Sequence, residues 1–197
     1  NQNTGFVVGG YPFGGCIFLK TTNQGQNWNS QTINAPSTEQ LSDIAFYDES
    51  IGYLAVTSGI LLKTINGGVN WQALNSNTPN TLGNIQVIKS DANYVYMLDY
   101  FGSVTNLIKT SNAGINWSAI PFPSGQVITS LSFVNSFTGY ASGYQNITIP
   151  HTPVFYKTTN GGTNWINLTS NLPLPQNNVA TVISFLNENT GYFTGNG

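Results

Sequence analysis

Seven carboxylates, one histidine and one cysteine are the stock of side chains with which this chain of 197 residues could do acid–base, nucleophilic or metal chemistry. The acids are Glu39, Asp43, Asp48, Glu49, Asp91, Asp99 and Glu188. A zinc site needs three or four Cys, His or carboxylate ligands at a defined spacing. The single His151, set between Pro150 and Pro153, and the single Cys16 define no such spacing. Asp48-Glu49 lacks the repeated oxygen ligands of a calcium loop, so no metal and no cofactor is expected. Cys16 lies in the apolar run Gly15-Cys16-Ile17-Phe18-Leu19 and reads as a small buried hydrophobe. Glycoside hydrolysis needs two carboxyl groups facing each other across a sugar ring. Which acids could meet in that way depends on the elements that carry them.

Those elements are set by a repeat. Lys157-Thr158-Thr159-Asn160-Gly161-Gly162-Thr163-Asn164-Trp165 has three further copies, running Lys20 to Trp28, Lys63 to Trp71 and Lys109 to Trp117. The four windows hold every tryptophan and every basic residue except Lys89, and there is no arginine. In each copy a Thr lies seven residues before the Trp, an Asn five before, a Gly three before and an Asn one before. Asn23, Asn66, Asn112 and Asn160 are expected to cap a tight turn by accepting from N–H groups two residues on. Gly25, Gly68, Gly114 and Gly162 are expected to supply the positive φ that other residues resist. Trp28, Trp71, Trp117 and Trp165 are then placed on an outer strand, covering a sheet edge.

Each repeat carries four short β-type runs separated by turn residues. The second copy shows them as Asp43 to Tyr47, Gly52 to Val56, Ile60 to Thr64 and Asn70 to Leu74. Four strands recurring every 43–48 residues is the period of a β-propeller blade. The expectation is therefore an all-β chain, one propeller repeat region over residues 1–197. Its units are about 1–35 (partial), 36–78, 79–123, 124–172 and 173–197 (partial). Asn3-Thr4-Gly5-Phe6 near the start matches Asn189-Thr190-Gly191-Tyr192 near the end. The first unit thus opens on a second strand, while the last supplies a first and a second. Three arrangements are compatible with this: a segment of a larger propeller or array, completion by strands of a neighbouring subunit, and a closed four-blade ring.

Thr-x-Asn-x-Gly-x-Asn-Trp resembles the Asp-box (BNR) repeat, Ser/Thr-x-Asp-x-Gly-x-Thr-Trp. With the Phe…Gly-Tyr element and Lys-Thr-x-Asn-Gly-Gly-x-Asn-Trp, it is most similar to photosystem II assembly/stability-factor-like propeller repeats. The resemblance covers essentially the whole chain, and it departs from the pattern in having Asn where the family has Asp in all four copies. It implies that the loops joining strands two and three emerge on a functional face, opposite the Asp-box turns. That face would carry Tyr11, Phe13, Asp99, Tyr100, Phe101, Tyr144 and His151 as candidate binding residues. Aromatic rings beside Asn, Asp and Gln suit a sugar, and the same rings suit packing over the channel ends. It also implies that Asp48, Glu49, Asp91 and Glu188 fall on the opposite side, leaving Glu39, Asp43 and Asp99 near the expected site. The sialidase branch of Asp-box propellers holds its substrate with arginines, which this chain lacks. An enzyme is not expected.

Charged residues make up 6% of the chain and the net charge is −2, which excludes the basic stripe that a phosphate backbone requires. No apolar run is long enough to span a membrane as a helix. A surface of Asn, Thr, Ser, Gly and Gln with so few ions points to a secreted or cell-surface setting. With no initiator Met and no signal pattern, the chain reads as a mature or excised piece. Asn116, Asn146 and Asn167 open Asn-x-Ser/Thr tripeptides and are the candidate glycosylation sites. The expected role is a secreted, non-enzymatic structural or adhesive propeller module that self-associates through its terminal strands, as an oligomer or fibre. The alternatives are a binding propeller that recognises a glycan or docks a protein partner as an assembly factor does, and, third, a glycoside hydrolase.

Overall fold

The computed structural model describes residues 3–10, 16–31, 33, 40–56, 58–74, 81–87, 91–101, 104–145, 151–171 and 179–196. Its strands form five antiparallel sheets, taken up in chain order. The first holds β1 (Gly5–Gly10), β2 (Cys16–Thr21) and β3 (Asn29–Ser30). The second holds β4 (Leu41–Phe46), β5 (Gly52–Val56), β6 (Leu61–Thr64) and β7 (Gln72–Leu74). The third holds β8 (Thr81–Val87), β9 (Val95–Phe101), β10 (Val104–Thr110) and β11 (Ser118–Pro121). The fourth holds β12 (Gln126–Phe133), β13 (Gly139–Gln145), β14 (Thr152–Thr158) and β15 (Ile166–Asn167). The fifth is the pair β16 (Val179–Phe185) and β17 (Gly191–Asn196).

Successive sheets pack face on face, β1 on β4, β4 on β8, β8 on β12 and β12 on β16. These are blades of a β-propeller. Face-to-face stacking buries both sides of the middle strands, which is why Gly52–Val56 reads as an unbroken apolar run; all five of its residues are buried. The closed four-blade ring, in which β16 would complete the first sheet, is not the arrangement found: β16 pairs with β17 and packs on β12 and β13.

Two devices set the blade-to-blade spacing. In blades two, four and five the last residue of the first strand is Phe, paired across the sheet with Gly: Phe46 with Gly52, Phe133 with Gly139, Phe185 with Gly191. A Cβ on these glycines would lie 2.4–2.6 Å from the ring. The missing side chain lets each Phe lie flat across its own sheet, where it stacks on the second-strand aromatic of the preceding blade. Phe6 meets Phe46 at 3.6 Å, Tyr96 meets Phe133 at 3.7 Å and Tyr140 meets Phe185 at 3.6 Å, all near parallel. Blade three departs from the pattern, pairing Val87 with Val95. The second device is a hydroxyl that reaches across blades: Thr105 Oγ1 accepts from Ile128 N at 3.1 Å, Ser130 Oγ from Ile183 N at 3.2 Å, and Ser132 Oγ from Phe185 N at 2.8 Å.

Buried tyrosines make stability fall in strong base. Tyr53 is fully buried, donates to Ala113 O at 3.2 Å, and has its pKa pushed up to about 12 by burial. Tyr96 is pushed up in the same way by burial and by the neighbouring Tyr94. Unfolded tyrosine ionises near its ordinary 10.0, so the folded chain holds protons that the unfolded chain has released. This stability is fully present below pH 10 and is lost as pH rises toward 12. Lys63 and Lys109, lowered by burial, act in the opposite sense and relieve a small cost on the way up to their ordinary 10.5. The melting temperature, followed by circular dichroism, is expected to drop between pH 10 and pH 12, and to drop less in Tyr53→Phe.

Candidate functional site

The Asp-box turns are built alike in all four copies. The Thr hydroxyl donates to the Asn Oδ1 and accepts from the Gly N–H four residues on; Gly25 N reaches Thr21 Oγ1 at 3.0 Å and Gly162 N reaches Thr158 Oγ1 at 2.9 Å. The Asn Oδ1 then accepts from the Asn four residues beyond it, at 2.9 Å in each copy. This corrects the expected capping. The Thr, not the Asn, satisfies the N–H two residues after the Asn, which is why the Thr is invariant across the copies. The glycines have φ of +84°, +88°, +89° and +77° in chain order, as the turn requires. Each Trp sits just before its short outer strand rather than on it. Trp71 packs edge-on against Phe18 of the preceding blade and Phe46 of its own.

The lysine that opens three of the four motifs has a role that periodicity alone did not reveal. Lys20 Nζ donates to Gly67 O at 3.0 Å, Lys63 Nζ to Ala113 O at 2.8 Å and Lys109 Nζ to Gly161 O at 2.7 Å. In every case the acceptor is the Asp-box turn of the next blade. The lysine stems cross an aromatic ring of their own blade on the way, with Lys20 over Phe6 and Lys63 over Tyr53 at 5.4 Å. Tyrosine hydroxyls add to the staple: Tyr96 donates to Ser136 O and Tyr140 to Glu188 O, both at 2.7 Å.

Of the residues expected on the strand two–three face, Tyr11 and Phe13 lie outside the described residues, as does the glycosylation candidate Asn146. Tyr100 and Phe101 end β9, with Tyr100 in register with Thr81 and Thr105, and Phe101 with Val104. Tyr144 and His151 come together with ring centroids 4.7 Å apart, one on β13 and the other just before β14. Asp99 is not on offer to a ligand: it is 2% exposed and its Oδ2 accepts from Asn106 Nδ2 at 3.1 Å. Other acids accept hydrogen bonds as well, Asp48 and Asp91 from their own turns and Glu188 from the preceding blade. Asp48 accepts from Ser50 N and Ile51 N, Asp91 from Asn93 N, and Glu188 from Asn135 Nδ2 and Thr138 Oγ1. Glu39 lies outside the described residues. Among the described residues no cluster of three or more His, Cys, Asp or Glu could hold a metal ion.

The described cleft with the best-defined chemistry lies on the opposite end, between blades three and four. It has a volume of about 410 Å³, with walls from the strand one–two turns and the Asp-box turns. Tyr94 and Phe137 face each other at 6.3 Å, Phe137 is 59% exposed, and Trp117 closes the third side. Ser111, Asn112, Asn116, Ser118 and Asn160 supply a neutral polar rim. The floor is already satisfied, because the Lys109 ammonium is spent on Gly161 O and Thr163 Oγ1 and the Tyr96 hydroxyl on Ser136 O. What remains is aromatic surface bordered by uncharged donors and acceptors. Further apolar side chains stand on this end: Ile65 at 73%, Val69 at 64% and Ile115 at 77% exposure, all on Asp-box turns. The signal in the sequence was Phe137 itself, an aromatic at a turn position where other copies carry Asn3, Ser50 and Asn189. Asn116 and Asn167 are exposed, Asn116 on the rim of this cleft. No helix among the described residues is long and apolar enough to cross a membrane.

Comparison with known proteins agrees with this architecture. No curated protein sequence matches the chain. Among solved structures it is similar to one described as YCF48 bound to D1 peptide, with a TM-score of 0.71 and 18% identity. That alignment covers 100% of this chain and 58% of the other. It is also similar to the GH74 xyloglucanase of Xanthomonas campestris (TM-score 0.71, 14% identity, covering 93% of this chain and 32% of that one). The GH74 enzyme of Niastella koreensis gives a TM-score of 0.69 at 18% identity, covering 95% and 32%. The chain thus spans less than two thirds of each of these proteins, and at such identities the likeness is one of fold. The model of the family described as photosynthesis system II assembly factor YCF48 matches residues 23–172. The chain belongs to the YCF48 family of Asp-box β-propellers.

Proposed function

We propose that this chain is a non-enzymatic, protein-binding propeller of the assembly-factor kind, and that it seats an uncharged protein segment in the cleft of Tyr94, Trp117 and Phe137. The observation that carries the reading is membership of the YCF48 family, one of whose solved structures is described as bound to a D1 peptide. This weighs toward the protein-docking alternative and away from a secreted adhesive module as the principal role. The cleft suits that role: accessible aromatic side chains bordered by a polar rim are what a partner buries at a protein-binding hot spot. The spent lysine in its floor leaves no cation for an acidic partner, so a neutral segment fits best. Hydrolysis has little support, since Asp43, Asp48, Asp91, Asp99 and Glu188 all accept hydrogen bonds from turns and strands. A sparsely charged surface still speaks for an extracellular setting, and an N-linked sugar on Asn116 would occupy the cleft rim.

The test is calorimetric titration of the chain with the D1 peptide, beside a scrambled peptide and a xyloglucan oligosaccharide. Binding of the peptide alone is expected, weakened about tenfold or more in Phe137→Ser and unchanged in Tyr144→Ser. Binding of the sugar, lost in Tyr144→Ser, would replace this reading with a glycan-binding one. Peptide binding indifferent to Phe137→Ser would remove the cleft as its seat.

A further inference from the structure

The cleft between blades three and four suits one kind of segment better than others, and the reason lies in which of its polar groups are already used. Both blades have all four strands, so its walls belong to complete sheets. The acceptors of those walls are taken up within the fold. Gly161 O receives Lys109 Nζ and Ser136 O receives the Tyr96 hydroxyl, both at 2.7 Å. Asn112 O receives Ile115 N, and Asn160 O receives both Thr163 N and Thr163 Oγ1. The amide oxygens are each filled twice. Asn112 Oδ1 accepts from Thr110 Oγ1 and from Asn116 N, both at 2.9 Å. Asn160 Oδ1 accepts from Thr158 Oγ1 at 3.1 Å and from Asn164 N at 2.9 Å. A main-chain N–H can only donate, so the oxygen of each amide is turned into its own Asp-box turn and the NH2 end is left over. Among the described residues Asn112 Nδ2, Asn160 Nδ2 and the Tyr94 hydroxyl have no hydrogen-bond partner, and the exposed side chain of Asn116 has none either.

Such a wall offers hydrogens and few lone pairs. An ordinary extended segment carries one N–H for each C=O, and an N–H laid against a donor wall loses its water and gains nothing. Proline keeps the C=O and has no N–H. A proline-rich segment in the polyproline II conformation has no internal hydrogen bonds, so its carbonyls are all available. Its rings also dock in aromatic-lined grooves. Here Tyr94 and Phe137 stand 6.3 Å apart with their planes tilted by 59°. Trp117 has its Nε1 turned back onto Gly114 O at 3.1 Å and so presents ring surface without a free donor. An acidic segment would find the same hydrogens, but its charge would lie against the negative faces of these rings. The nearest cation, Lys109, is already held by Gly161 O and Thr163 Oγ1. We propose that the segment seated in this cleft is uncharged and proline-rich, a polyproline II strand whose carbonyls accept from these free hydrogens while its rings cover Tyr94, Trp117 and Phe137. This rests on the cleft being the docking site and adds the chemistry of what docks.

Calorimetric titration of the chain with acetylated and amidated Ala-Pro-Ala-Leu-Pro-Ala-Leu-Pro, beside the same peptide with alanine at every proline, is the test. The proline peptide is expected to bind about tenfold or more tightly than its alanine copy, and to be lost in Phe137→Ser. Tyr94→Phe keeps the ring and removes the hydroxyl, and Asn116→Asp turns a donor into an acceptor. Each should weaken the proline peptide several-fold and the alanine copy less, with the melting temperature unchanged, because neither group is bonded within the fold. Equal or tighter binding of the alanine copy, still lost in Phe137→Ser, overturns the proline assignment and leaves the cleft as a docking site. So does binding of the D1 peptide at the cleft with neither of these peptides bound. A preference for proline that both Tyr94→Phe and Asn116→Asp leave untouched overturns it too, since the free donors would not be what selects. Absence of all peptide binding, or binding indifferent to Phe137→Ser, removes the docking site itself and this assignment with it.

Discussion

Gly143→Ala is expected to cost about 3–5 kcal/mol, enough to populate the unfolded state at room temperature in a domain of ordinary stability. The added Cβ would lie 1.9 Å from the Val127 carbonyl oxygen and 2.7 Å from the Ile128 Cα. These are backbone atoms, so no change of rotamer relieves the overlap, and β12 and β13 must part where they pair Gly143 with Ile128. The site is the bulge that shifts the register between Ile128 and Ser130; blades two and five carry a shift at the matching place, and blade three carries one a residue nearer its strand one–two turn. The molecule contains its own control. Gly9 holds the same position in the first blade, where nothing lies within 4 Å of an added Cβ. Gly9→Ala is therefore expected to fall within about 0.5 kcal/mol of the parent. Urea denaturation of the two variants decides the matter. Equal losses would show that the glycine serves chain conformation and not the close approach.

Tyr96→Ala is the second large effect, about 4 kcal/mol. The ring is fully buried, stacked on Phe133 at 3.7 Å, and its hydroxyl donates to Ser136 O at 2.7 Å. Tyr96→Phe keeps the ring and should lose only about 1 kcal/mol for the hydrogen bond. The location makes the loss informative. Tyr96 joins blades three and four, and an array of repeats is held by nearest-neighbour interfaces. Weakening one interface should split a single unfolding transition into two, with the blades containing β12 to β17 melting first. Trp117 and Trp165 fluorescence, each left as the only tryptophan, would report the two halves. A single transition shifted as a whole would show that the blades do not unfold as separable units.

What could be read in the sequence was what is local. The turns are closed by bonds spanning two to four residues, so Thr, Asn, Gly and Trp at fixed spacing were enough to place four hairpins and hence four-stranded blades. Even there the division of labour between Thr21 and Asn23 escaped notice, because either oxygen could serve the same N–H. The staple was invisible for the converse reason. Lys20 and Gly67, Lys63 and Ala113, Lys109 and Gly161 are 47 to 52 residues apart, and nothing in one repeat says that its lysine belongs to the next. The candidate site suffered from the same limitation. Resemblance directed attention to the strand two–three loops, where Asp99 proved to be a buried partner of Asn106. The cleft at the other end needs residues from two blades, and only the odd Phe137 marked it.

The Val87–Val95 pair of blade three carries an implication for how such arrays change. Where its neighbours pair a large residue with one that has no side chain, this blade pairs two of medium size, and the summed volume is roughly the same. Neither single step of that exchange is neutral. Replacing the Gly first drives a methyl into a ring at 2.4–2.6 Å, whereas trimming the Phe first leaves a void costing about 1–3 kcal/mol. The passable route therefore runs through the void, and the two positions are coupled so that the second change restores what the first gave up. A repeat that looks free to drift at these sites is constrained to move two residues at a time and in one order.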